Sequence, residues 1–153
     1  MMFVLDTNVV SELRLLKSGK ADRRVAAWAA RAAPVELFIS AITVLEIEVG
    51  TLRVARRDPV QGAVFKTWFE QYVLPAFEGR ILAVDTNVAR RCARLHVPDP
   101  CSERDAMIAA TALVHGMAVV TRNEVDFVKT GVPIVNPWLA PLSKPRARRR
   151  TPS

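Results

Sequence analysis

The stretch FVLDTNVV, residues 3–10, sets three apolar residues directly before an aspartate and follows them with helical spacing. An apolar run without a turn former reads as a strand buried on both faces. Val9, Val10, Leu13 and Leu16 then recur on one helical side until Ser18 and Gly19 interrupt it. Asp6 therefore closes a strand at the mouth of a strand-to-helix turn. The tetrapeptide DTNV returns at residues 85–88 behind another apolar run, so Asp85 has the same local setting. An aspartate in such a turn either caps the helix or faces a ligand beyond the strand end.

The alternation continues along the chain. LFIS (37–40), ILAVD (81–85) and MAVVT (117–121) read as further strands, and PIVNP (133–137) as a weak last one. Helical patterns separate them. One covers 21–33, with Val25, Trp28 and Ala29 inward, and ends at Pro34. A second covers 41–57, with Ile42, Leu45, Val49 and Leu52 on its apolar face, and a third runs from about Val60 to Val73 with Val64, Trp68 and Tyr72 on one side. The segments 87–95 and 106–116 complete the set, joined by the proline-rich loop 97–105; NEVDF (123–127) reads as a short turn. Strands alternating with helices at this spacing predict an α/β domain with a mostly parallel central sheet covered on both faces.

At 153 residues the chain fits one domain. No apolar run approaches the roughly 18 residues a membrane helix needs, and MMFVLD has no basic leader, so the expectation is a cytoplasmic protein without membrane association. Cys92 and Cys101 read as free thiols. The net charge of +7 is unevenly spread: residues 144–153 hold five of the 22 Lys and Arg, leaving 17 bases against 15 acids. Residues 141–153 therefore read as a basic, disordered tail, with attraction to phosphate as the alternative.

Functional groups of an open parallel sheet gather beyond the carboxyl ends of its strands. That rule selects Asp6, Asp85, Asp126, Glu46 and Asp105. Each has an ordinary alternative. Asp6 would cap the next helix, Asp105 would complete a capping box with Ser102, Asp126 would serve a turn, and Glu46 would point to solvent like Glu48. Glu46, however, shares its helical side with Ile42 and Val49. A carboxylate there needs a partner. Several acids converging on one spot would need a hard cation such as Mg²⁺ or Mn²⁺. Two histidines, His96 and His115, and no Cys-His cluster give zinc little support, and no glycine-rich phosphate loop is present.

Five ordered segments, LDTNVVSEL, SAITVLEIEVG, RDAMIAATALVHG, VVTRNEVDF and GVPIVNPW, cover nearly all of residues 3–138. Together they resemble the PIN-domain ribonucleases, specifically VapC/FitB-like toxins of type II toxin-antitoxin modules. The resemblance implies a PIN-like three-layer α/β/α fold over residues 1–140. It implies that Asp6, Glu46, Asp105 and Asp126 bind a divalent metal, supported by Thr7, Asn8, Ser40, Thr43, Thr121 and Asn123. It further implies metal-dependent RNA cleavage, a homodimer, and a cognate antitoxin through which promoter DNA is bound. Arg104 stands where many relatives have proline, and Glu124 adds an acid beside Asp126 as a second candidate for the fourth ligand. Relatives vary at Asp85, so the helix cap is its preferred reading.

Such a site would hydrolyse a phosphodiester with a metal-bound water as nucleophile. Arg90, Arg91, Arg94 and Arg104 are candidates for contact with RNA phosphates near it. Exposed apolar residues of the helices Val9–Leu16 and Val44–Leu52 would form a groove for a partner segment. The competing readings are a catalytically inactive PIN-like protein or RNA binding module, and a phosphatase of parallel α/β type. The last requires an aspartate where Asn8 stands.

Overall fold

β1 (Phe3–Leu5) forms the middle of the sheet and leads into α1 (Thr7–Leu13). The computed structural model describes residues 1–142, so the expected tail, apart from Pro141 and Leu142, lies outside the described residues. α2 (Arg23–Arg31) is capped by Asp22, whose carboxylate accepts from the N–H groups of Arg24 and Val25. A 3-10 turn over Pro34–Glu36 enters β2 (Leu37–Ser40), followed by the long α3 (Ala41–Arg57) and α4 (Pro59–Trp68). A π-helical turn over Phe69–Val73 and the short α5 (Leu74–Ala76) lead to β3 (Ile81–Leu82). Then come α6 (Thr86–Leu95), α7 (Glu103–His115), β4 (Ala118–Val120), α8 (Glu124–Val128) and β5 (Ile134–Val135).

The strand order is β3-β2-β1-β4-β5, and every ladder is parallel. Leu5 pairs with Ile39 on one side and Val120 on the other, so β1 and β4 end level with each other. Alternate residues of these strands feed opposite cores. Val4 and Val119 pack with Ile108, Ala109 and Ala112 of α7 and with Phe127 of α8. Leu5, Ile39 and Val120 pack with Val9 and Val10 of α1, Ile47 of α3, and Phe69, Val73 and Phe77. A third cluster, Val88, Cys92, Ala106 and Ala110, joins α6 to α7. The alanines explain how α7 fits closely between the sheet and α6: Ala106, Ala109, Ala110 and Ala112 are all fully buried.

The structure corrects several expectations. NEVDF is a helical turn, α8, because Phe127 is drawn wholly into the core. The ILAVD strand pairs only over Ile81 and Leu82, since Asp85 already opens α6. The inward faces of α3 and α4 are also rotated from the predicted ones. Ile42, Thr43 and Ile47 are buried, whereas Leu45 and Leu52 are 45% and 60% exposed. α4 approaches α3 through Gly62, where a Cβ would lie 2.5 Å from Ala55 Cα. The π turn then carries Phe69 and Val73 inward and leaves Tyr72 exposed, as is Val64.

Candidate functional site

Chain order reverses between β1 and β4: β2 and β3 extend the sheet to one side, β4 and β5 to the other. Such a switch point opens a crevice beyond the strand ends. Asp6 lies there, only 5% exposed, with its backbone N–H donating to Val120 O at 2.9 Å. Its Oδ1 accepts from Thr7 N at 2.8 Å. Its Oδ2 accepts from the Thr121 hydroxyl at 2.8 Å and from Asn8 Nδ2 at 3.2 Å. Thr121 Oγ1 in turn accepts from Asn123 N at 3.0 Å and from Asn8 Nδ2 at 3.4 Å. One donation and two acceptances fill that hydroxyl completely. Asn8 Oδ1 accepts from Arg122 N at 3.3 Å, which ties α1 to the turn after β4.

Glu46, on the half-buried side of α3, accepts the Thr7 hydroxyl at Oε1, 2.9 Å away. Thr7 Oγ1 also stands 3.2 Å from the hydroxyl of fully buried Thr43. Ser40 has a different task. Its buried hydroxyl accepts from Ile42 N at 3.0 Å and caps α3. Thr7, Asn8 and Thr121 thus bond the acids through their side chains, while Thr43 reaches only the Thr7 hydroxyl and the Asn123 backbone only that of Thr121.

Asp105 lies in the first turn of α7 and Asp126 in that of α8. Ser102 makes no side-chain cap bond to the helix, so the capping box weighed as the alternative role of Asp105 is not formed. The acids sense one another. Burial holds the Asp6 carboxyl above its ordinary 3.8; the bonds from Thr121 and Thr7 oppose this, and the charges of Glu46 and Asp126 reinforce it. Burial likewise raises Asp105, with Asp6 and Asp126 adding to it and the Ser102 hydroxyl opposing. Glu124 is engaged elsewhere, accepting Asn136 Nδ2 at 3.2 Å. Of the two adjacent acids it is therefore Asp126 whose charge acts on Asp6 and Asp105.

Among the described residues no three Asp, Glu, His or Cys side chains form a ready metal cage. The acids instead offer carboxylate oxygens that act on one another through their charges, Glu46 and Asp126 on Asp6, and Asp6 and Asp126 on Asp105. That donor set suits a hard cation that keeps several waters, as Mg²⁺ does, and not a closed tetrahedral zinc.

The two DTNV copies differ in geometry. Asp85 is exposed and accepts from Val88 N at 2.9 Å, the usual capping bond to the third helical residue. Asp6 bonds the first residue of its helix and turns its other oxygen toward β4. Arg104 is exposed beside Asp105. Arg90, Arg91 and Arg94 instead line a cavity of about 350 Å³ with Asn87, Leu113 and Val114. Leu113 is eight residues along α7 from Asp105, roughly 12 Å of helix. His96 sits between two thiols, 3.8 Å from Cys92 Sγ and 4.0 Å from Cys101 Sγ. His115 is exposed at the far end of α7.

Two features escaped the sequence reading. Asn136, which holds Glu124, lies after β5 and carries no local signal of that role. A cavity of about 330 Å³ opens beside Thr7 and Glu46 and runs past Ser11 and Arg14 to Phe65 and Trp68. The Arg14 guanidinium lies 4.7 Å from the Phe65 ring centroid. Its walls come from α1, α3 and α4, so only the fold assembles them; the expected groove between the first and third helices needed α4 as well.

The PIN domain family model matches residues 3–132. A VapC ribonuclease of Sinorhizobium fredii is 39% identical over 142 residues, covering 90% of this chain and 98% of that protein. Toxin FitB of Neisseria gonorrhoeae is 36% identical over 144 residues, covering 90% of this chain and 99% of its own. Among solved structures, a chain of the FitAB complex bound to a DNA fragment superposes with a TM-score of 0.81 at 33% identity, covering 94% of this chain and 100% of that one.

Proposed function

The chain belongs to the PIN-domain family, and from that premise we propose that it is the ribonuclease toxin of a toxin-antitoxin pair, hydrolysing RNA phosphodiester bonds with a divalent cation, Mg²⁺ or Mn²⁺, held by Asp6, Glu46, Asp105 and Asp126. The observation that carries this reading is the mutual electrostatic influence of acids from four separate elements at the switch-point crevice: burial raises Asp6, with the charges of Glu46 and Asp126 adding to it, and burial raises Asp105, with those of Asp6 and Asp126 adding to it. Acids so gathered repel, and a cation removes the repulsion. When bound, such a cation supplies Lewis-acid polarisation of a phosphate and acidifies a water.

The chain's own side chains set the geometry. Thr121 and Asn8 donate to Asp6 Oδ2 and fix its direction, and the Thr7 hydroxyl does the same for Glu46 Oε1. His96, engaged between two thiols, and His115, at the opposite end of α7, are not needed as bases.

The partners follow the same logic. The cavity leading from Glu46 between α1, α3 and α4 receives a segment of the cognate antitoxin, and promoter DNA is met only through that protein. The exposed apolar residues Leu45, Leu52, Val64 and Tyr72 give a second copy of the chain a surface for a homodimer. Among the described residues no helix is long and apolar enough to cross a membrane, and the toxin acts on RNA in the cytoplasm.

The test is cleavage of a mixed pool of structured and single-stranded RNA by antitoxin-free protein, in Mg²⁺, Mn²⁺ and EDTA, beside Asp6→Asn. Cutting that requires metal and is lost in the variant is the expected result. A folded protein that binds RNA without cutting it in either metal would instead be an inactive binding module.

A further inference from the structure

α6 carries Asn87, Arg90, Arg91 and Arg94 at the i, i+3, i+4, i+7 spacing of one helical stripe. All three arginines are exposed, and none makes an ion pair among the described residues. They also face one another: Arg94 stands four residues after Arg90 and three after Arg91, spacings at which like charges destabilise a helix. Arg94, in the last turn, is favoured by the helix dipole. Arg90 and Arg91, in mid-helix, have no such compensation. The stripe borders the cavity it shares with Leu113 and Val114 of α7, so the guanidinium groups surround a concave floor and do not simply radiate into solvent.

We propose that this stripe is a second nucleic-acid subsite, separate from the acids, that grips the phosphates of an RNA strand running along α6. It rests on the ribonuclease reading for the identity of the strand. The stripe from Asn87 to Arg94 extends roughly 10 Å along the helix axis, room for two or three phosphates. Its lining holds no aromatic ring on which a base could stack. The subsite therefore contributes affinity without reading sequence. It also implies a substrate that continues several nucleotides beyond the scissile bond.

The experiment compares wild type, the triple variant Arg90→Gln/Arg91→Gln/Arg94→Gln and the charge-keeping Arg→Lys triple. Anisotropy of a short fluorescein-labelled oligouridine is read in EDTA from about 50 to 200 mM salt, where each single-strand phosphate contact contributes roughly 0.7 to the log-log slope. The Gln triple is expected to lose about 2 from that slope, so that wild-type affinity falls about 15-fold more steeply across the range. The Lys triple keeps most of the slope. In cleavage of long RNA the Gln triple raises KM with kcat unchanged. Equal slope and affinity in the Gln triple, with its Tm at or above wild type, overturns the subsite. The nuclease reading fails separately: Asp6→Asn then cuts as well as wild type, while the binding comparison still stands.

Discussion

The Thr121 hydroxyl donates to Asp6 Oδ2 at 2.8 Å, joining residues 115 positions apart in the chain at the ends of two adjacent strands. The bond orients an oxygen of the most buried acid of the site, and Thr121 is itself fully buried. Thr121→Val keeps the shape and removes the donor. Its loss is expected to cost about 1–3 kcal/mol of stability, the scale for a buried group deprived of its partner. Activity at limiting Mg²⁺ should fall by about 10–100-fold, as for other groups that orient a metal ligand. Urea denaturation and cleavage across a Mg²⁺ titration check both, and Thr121→Ser should recover most of the activity. Unaltered metal dependence in the valine variant would remove Thr121 from the positioning role.

The acids also predict a pH dependence. Asp6 and Asp105 titrate above the ordinary 3.8, chiefly through burial and secondarily through neighbouring acids. A pKa raised by folding means that the folded state binds the proton more tightly. The stability this contributes is complete below about pH 3.8 and is lost as the pH climbs through the raised values. In EDTA, wild type should therefore lose stability relative to Asp105→Asn over that window, and the variant should have the higher Tm near neutrality. Mg²⁺ should raise the wild-type Tm near neutrality and much less at low pH, because its ligands must be ionised. Parallel Tm curves for the two proteins in EDTA would mean that the charge at Asp105 is not felt.

The strands of this fold were legible because each is a short apolar run closed by a polar residue, and Asp6 and Asp126 could be picked out from those endings, whereas Thr121 came only with the family resemblance. Glu46 was legible from its side of α3, which places it with Ile42. What the pattern could not show was rotation within the two helices that carry apolar residues on more than one side. Leu45, Leu52, Val64 and Tyr72 look like core residues to any periodicity argument, yet the Gly62 approach and the π turn select Ile47, Phe69 and Val73 instead. The separation of Arg90, Arg91 and Arg94 from Arg104 was equally hidden. It depends on the antiparallel packing of α6 on α7, which no local spacing encodes.

Gly62 offers a test of that crossing. In an open helix Gly→Ala is favourable by roughly 0.5–1 kcal/mol. Here the added Cβ would stand 2.5 Å from both Cα and Cβ of Ala55 and 2.9 Å from its nitrogen. Backbone atoms cannot rotate away, so α3 and α4 must part. Overpacking of this kind costs about 1–3 kcal/mol. The clash outweighs the propensity, and Tm should fall by roughly 3–10 °C in a domain of this length. A Gly62→Ala protein as stable as wild type would show that the two helices separate freely.

The two DTNV aspartates provide the sharpest contrast. Asp85 satisfies the N–H of Val88, as a cap does. Asp6 satisfies Thr7 with one oxygen and commits the other to Thr121 and Asn8. Asp85→Ala should therefore cost about 0.5–2 kcal/mol of stability and leave the rate of RNA cleavage at 25 °C unchanged, with Asp85→Asn recovering the stability. Asp6→Asn should do the reverse to function, lowering cleavage by more than the roughly 10–100-fold expected of a group that only orients a ligand. Circular dichroism of both variants, recorded beside their cleavage rates, separates the effects. If Asp85→Ala abolished cutting while folded, the crevice at β1 and β4 would not be the whole active site.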